Sequence, residues 1–198
     1  MLIPKQPIAP LYIRLTHWLN AVAVILMIMS GLKIYNASPI FDFLIPNLFT
    51  MGGWLGGALL WHFAFMWLLV INGLLYLVMN ASTGRLFKKF FPIRPKDLLR
   101  DAVDTLRGKL SHHDLSQYNS IQKLAYLAAI ADVILLVVSG LAIWKPVQLA
   151  LLHDLMGGFD NARVVHFFAM LFMVFFICMH VVMVALVPRT LVVMLKGR

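Results

Sequence analysis

Four apolar stretches alternate with short polar or basic segments along this chain. They run roughly Leu15 to Ile34, Leu55 to Met79, Ile121 to Trp144 and Ala162 to Val187. A helix needs about 20 mostly apolar residues to cross a hydrocarbon core roughly 30 Å thick, so each stretch is long enough to span. The pattern predicts an all-α integral membrane protein, a four-transmembrane-helix bundle forming one domain over residues 1–198. Phe41 to Leu48 is also apolar, but it is short and interrupted by Asp42 and Pro46, which predicts an interfacial turn. Between the second and third spans, Leu98, Leu99, Ala102, Val103, Leu106 and Leu110 recur at helical spacing, with Lys96, Arg100, Arg107 and Lys109 off that stripe. An amphipathic helix on the inner leaflet fits this spacing. A solvated basic linker is the alternative.

Composition agrees with the pattern. The chain is 62% hydrophobic and only 13% charged, with a mean hydropathy of +0.87. Soluble domains average about 45–50% apolar and about 25% charged. The net charge of +9 therefore sets topology first and does not imply a nucleic-acid partner. Arg85, Lys88, Lys89, Arg94, Lys96, Arg100, Arg107 and Lys109 share one loop, and Arg189, Lys196 and Arg198 follow the last span. Lys33, Lys145 and Arg163 stand at span edges on the other side. The positive-inside rule places both termini in the cytoplasm. Lys5 and Arg14 precede the first span, but no small-residue cleavage site follows it, which predicts an uncleaved span.

Histidines supply the candidate chemistry. His166 and His180 lie fourteen positions apart in the fourth span, a rise of about 21 Å that returns to within about 40° of the same helix face. His17 begins the first span and His62 lies about a third of the way into the second. Depth pairs His17 with His180 on the inner side and His62 with His166 on the outer side. Neutral imidazole ligates iron, copper and zinc. Two imidazoles on opposite faces of a porphyrin close the iron to oxygen and favour electron transfer. The constellation thus points to two stacked haems. Packing histidines or a zinc or copper path are the competing readings. His112, His113 and His153 fall in loops and read as solvated.

Cys178 is the single cysteine. It excludes an internal disulfide, a CxxCH haem attachment and a cysteine-ligated iron–sulfur cluster. Any covalently held electron relay must lie in a partner.

Other features stand beside the histidines. Ser30-Gly31 and Ser139-Gly140 end the first and third spans in a weak internal echo, Met29 to Tyr35 against Val138 to Trp144. Small residues there admit close approach of a helix or a flat ring. Asp132 sits mid-span, where an acid is costly. It reads either as a proton relay or as a protonated acid bonded to a neighbour such as Asn20 or Asn72. Phe167, Phe168, Phe172, Phe175 and Phe176 line the fourth span, facing lipid, core or the space between the haems.

At several of these residues the chain resembles the dihaem b-type cytochrome subunits of Ni-Fe hydrogenases, formate dehydrogenases and thiosulfate reductases. Arg14-Leu15-Thr16-His17-Trp18 is similar to that family's first-span ligand motif. Tyr118-Asn119-Ser120-Ile121-Gln122-Lys123 is similar to its entry to the third span, and Arg94-Pro95-Lys96-Asp97-Leu98-Leu99 to the preceding loop. The resemblance covers essentially the whole chain. It implies a multi-pass protein of the bacterial inner membrane with two b haems on His17, His180, His62 and His166. It also implies a periplasmic catalytic subunit, of molybdenum-enzyme or hydrogenase type, and quinone exchange at the inner haem. Asn119 and Gln122 then become candidates to bond a quinone carbonyl, with helix capping as the plain alternative for Asn119. Arg14 and Lys123 become candidates for the haem propionates, with snorkelling to lipid phosphates as theirs.

Two further functions compete with this one. A self-contained oxidoreductase would pass electrons between quinone and a small diffusible species such as superoxide. It calls for a basic funnel at the outer haem, where only Lys33, Lys145 and Arg163 stand. A histidine-lined metal transporter would bind no porphyrin.

Overall fold

The computed structural model describes residues 8–106 and 118–197. Four helices there are long and apolar enough to cross a membrane: α1 (Leu11–Ala37), α2 (Leu55–Ser82), α5 (Ser120–Trp144) and α7 (Gly158–Leu186). Shorter helices join them: α3 (Arg85–Phe90), α4 (Pro95–Leu106), α6 (Ala150–Leu155) and α8 (Arg189–Lys196). The segment from Phe41 to Leu48 does not span and contributes only to a 3-10 turn at Asn47–Phe49. The helix at Pro95–Leu106 covers most of the stripe read as amphipathic, and Leu99 and Val103 are exposed on it. Arg107, Lys109, Leu110, His112 and His113 lie outside the described residues.

Helix ends follow local chemistry. Pro39, Pro92, Pro146 and Pro188 each follow the residue where a helix stops, because the residue before proline is pushed out of the helical region. Gly84 (φ 64°) closes α2 and Gly197 (φ 84°) closes α8 in the left-handed conformation that favours glycine. Asn119 caps α5: its side chain accepts from Gln122 N–H, and the Gln122 side chain accepts from the Asn119 N–H.

The spans pack as two hairpins, α1 against α2 and α5 against α7. Small residues make this possible, since lipid tails offer no hydrophobic drive between helices and close van der Waals packing must hold them. Thr16, Ala23 and Ser30 form a buried stripe at seven-residue spacing on α1, facing Ala58, Leu69 and Asn72 on α2. In the second hairpin the buried set is Asp132, Ser139 and Ala142 on α5 with Ala162, Ala169 and Met173 on α7. Asn72 Nδ2 ties the first hairpin by donating to the Thr16 carbonyl and to Asn20 Oδ1, both at 2.7 Å. Interhelical bonds in membranes average about 0.6 kcal/mol each, so Asn72→Ala should cost roughly 1–2 kcal/mol. Detergent unfolding of the purified protein would measure this; unchanged stability would show that the two bonds contribute nothing net.

The hairpins meet each other differently. Among the described residues their backbones seldom approach closely, and contact runs largely through rings, with Arg163 of α7 also donating to the Ser38 carbonyl at the end of α1. Tyr35 stacks on Phe167 (5.1 Å between centroids), and Phe63 and Trp67 meet Trp144 (5.0 and 6.4 Å). At the end where the chain begins and finishes, α8 folds back on α1. Arg14 Nη1 donates to the Leu195 carbonyl (2.8 Å) and Trp18 Nε1 to the Met194 carbonyl (3.3 Å).

Candidate haem sites

Two imidazole pairs bridge the hairpins. His17 of α1 faces His180 of α7 with ring centroids 6.0 Å apart, and His62 of α2 faces His166 of α7 at 6.4 Å. A metal–imidazole bond of about 2.0 Å, with the ring centre about 1.15 Å behind its nitrogen, sets two trans rings roughly 6.3 Å apart. Both pairs therefore stand at the separation an iron between them requires. The donor set fits as well. Among the described residues no cluster of three or more His, Cys, Asp or Glu could hold a bare metal ion. Porphyrin iron already has four nitrogen ligands and needs only two axial ones. The seam between the hairpins, lined by these side chains, is where they would hold a flat macrocycle.

The His62–His166 pair has built-in supports. Ser30 Oγ lies 3.1 Å from His62 Nδ1, and Ser139 Oγ lies 2.9 Å from His166 Nδ1. The neighbouring glycines bring the rings against the helix backbone: a Cβ on Gly31 would sit 3.4 Å from His62 Cε1, and one on Gly140 3.3 Å from His166 Cε1. The Ser-Gly echo thus serves both hairpins in the same way. Sequence reading anticipated close approach at these positions, but not the hydrogen bonds. At the other pair, Phe176 stacks on His180 (5.9 Å), while Trp18 meets His17 edge-on (5.4 Å).

The remaining expected site residues divide. Arg14 lies three residues before His17, on nearly the same helix face; its Nε is buried without a hydrogen-bond partner, although Nη1 is engaged by Leu195. Lys123 Nζ donates to the Pro92 carbonyl (3.3 Å). Asn119 and Gln122 commit their side-chain oxygens to the α5 cap, and their amide nitrogens take no part in it. His153 is not a simply solvated loop residue: it lies on α6, half-buried, with Nδ1 3.4 Å from the Ala142 carbonyl, because α6 folds back on the end of α5. Asn20 and Asn72 are not partners of Asp132, since they bond each other. Asp132 Oδ2 is buried without a partner. Of the fourth-span phenylalanines, Phe167 is buried, Phe176 backs His180, and Phe168, Phe172 and Phe175 are exposed on the lipid-facing side.

Sequence reading missed a small polar recess beside Asn119. Ile13, Tyr76, Asn80, Arg85, Lys89, Phe90 and Tyr118 line it. Ile13 is one turn before His17, which puts the recess next to the His17–His180 level. Burial raises the Tyr118 phenol above its ordinary pKa, with the Arg85 charge opposing the shift, so its hydroxyl is a donor at neutral pH. The only signal in sequence was the run of tyrosines entering the spans, which also suits an interfacial aromatic belt.

The family model described as prokaryotic cytochrome b561 matches residues 9–197. The putative protein-methionine-sulfoxide reductase subunit YedZ1 of Azospira oryzae is 56% identical over 190 residues, covering 96% of this chain and 96% of that protein.

Proposed function

The chain belongs to the prokaryotic cytochrome b561 family, and from that premise we propose that it carries electrons through two b haems between quinone and an extracytoplasmic reductase. Family membership makes it a multi-pass, b-haem-binding electron-transfer subunit of the bacterial inner membrane. This sets aside the histidine-lined metal path. The finer reading is that the whole chain acts as one cytochrome domain, with His17 and His180 as axial ligands on the inner side and His62 and His166 on the outer side. The observation that carries it is the pair of imidazole separations, 6.0 and 6.4 Å, across the seam between the two hairpins.

Bound haem supplies one-electron redox at iron. The chain's own residues do the rest. They hold two imidazole pairs at two depths, exclude water with aromatic and aliphatic side chains, and leave donors at one end. Arg14, with an unpartnered Nε facing a low-dielectric surrounding, suits a haem propionate; Lys123 is the secondary candidate. Both termini lie in the cytoplasm on the positive-inside rule, and α4, with Leu99 and Val103 exposed, rests on the inner leaflet. Asn119, Gln122 and the adjoining tyrosine recess then lie on the cytoplasmic side, where a quinone carbonyl can find donors.

The relative supports a reductase as the partner. A protein-methionine-sulfoxide reductase consumes two electrons per sulfoxide, so a subunit serving one passes electrons from quinol outward. The absence of any CxxCH and of a cysteine-ligated cluster leaves the final relay to that partner.

Stoichiometry tests the reading. A pyridine haemochrome assay on purified protein should give about two haems per chain. One haem per chain would contradict the two-site assignment.

A further inference from the structure

We infer that Ser30 and Ser139 are positioning residues that fix the tautomer and electron density of the outer pair, His62 and His166. The inference rests on the proposed ligand role of those histidines. A serine hydroxyl has one proton to donate and two lone pairs. Ser30 Oγ lies 2.8 Å from the Leu26 carbonyl and 3.1 Å from that of Met27; Ser139 Oγ lies 2.6 Å from the Leu135 carbonyl and 3.3 Å from that of Leu136. Carbonyls only accept, so each serine proton points back along its own helix. Toward the imidazole each Oγ can then only accept. With each Nε2 lone pair given to iron, His62 Nδ1 at 3.1 Å and His166 Nδ1 at 2.9 Å carry the proton, and each serine oxygen accepts it.

Orientation and electronics follow together. Gly31 and Gly140 leave each ring room beside its serine, since an added Cβ would lie 3.4 and 3.3 Å from the ring Cε1. Each serine, polarised by the bond it donates, is a better acceptor, which makes the imidazole a more electron-rich ligand. An electron-rich ligand favours ferric iron and lowers the potential. Among the described residues neither His17 nor His180 has a serine partner, so the two sites are electronically unequal. The device comes from opposite hairpins, α1 for His62 and α5 for His166, and acts on both faces of one haem.

The test is a redox titration of the haem-loaded protein. Ser30→Ala and Ser139→Ala should each retain both haems, because both histidines of the pair are still present. Each should raise one midpoint potential, the same one in both variants. A tenfold change in the ferric-to-ferrous affinity ratio is at the low end for loss of such a partner; for one electron it corresponds to about 59 mV. The shifted component should be the one that His62→Ala abolishes. Unchanged potentials in both variants would overturn the inference, as would a shift confined to the component that His17→Ala abolishes. If an alanine variant loses its haem, Ser30→Cys or Ser139→Cys, weak acceptors of similar shape, are titrated in its place with the same expected direction. Retention of both haems in His62→Ala would instead overturn the underlying ligand assignment, a result separate from any behaviour of the serines.

Discussion

Alanine at His62 or at His166 should remove one haem, and the same one, while alanine at His17 or at His180 removes the other. Each histidine is proposed to supply half of a ligand pair, and the paired rings face each other at 6.4 and 6.0 Å. With one of its two proposed ligands gone a haem would be held weakly, beside a vacated side-chain volume of the kind that packed interiors tolerate poorly. Haem content should fall from about two to about one per chain. Redox titration should lose one component outright in each variant, with His62→Ala matching His166→Ala. The opposite partition, with His17→Ala and His166→Ala sharing a lost component, would place the macrocycles differently between the hairpins. Four variants that all kept both haems would sink the assignment altogether.

Quinone exchange should slow by about 5–150-fold when Asn119 is replaced by aspartate, with both haem spectra intact. Alanine would be a poor choice, because Asn119 also caps α5 and a lost cap alone costs about 1 kcal/mol. Aspartate keeps an oxygen for the Gln122 N–H and removes the amide donor proposed to hold a quinone carbonyl; the negative charge it adds is one that a helix N-terminus favours. Loss of one such bond is worth about 1–3 kcal/mol, hence the expected range. Stopped-flow reoxidation of the haems by a soluble quinone analogue is the measurement. Normal kinetics in Asn119→Asp together with slow kinetics in Tyr118→Phe would move the carbonyl into the tyrosine recess. Normal kinetics in both would remove this end of the bundle as the site.

Much of the molecule was legible without coordinates, for physical reasons. A span is a local property: about 20 apolar residues must form a helix in lipid, since no other partner exists for their backbone groups. Proline and glycine then mark where helices stop, so the four spans appear where the hydropathy pattern puts them, extended by about a turn at four of their eight ends. Depth is nearly as local, because helical rise converts sequence position into distance. That is why His17 could be matched with His180, and His62 with His166, before any fold was known.

Hydrogen-bond partners depended on the tertiary structure. Asn20, Asn72 and Asp132 were three polar groups free to combine, and the α1–α2 hairpin took the two asparagines for itself. Arg14 found the last carbonyls of α8, a segment more than 180 positions away in sequence. Tyr76, Asn80, Arg85 and Tyr118 came together because α2, α3 and the start of α5 converge at one end. Ser30 and Ser139 looked like packing residues of no special chemistry. Only the register of α1 on α2, and of α5 on α7, set each hydroxyl about 3 Å from an imidazole nitrogen. A turn of helix shifts a side chain by 5.4 Å, more than any hydrogen bond can stretch, so these contacts were decided by how helices packed rather than by where they began and ended.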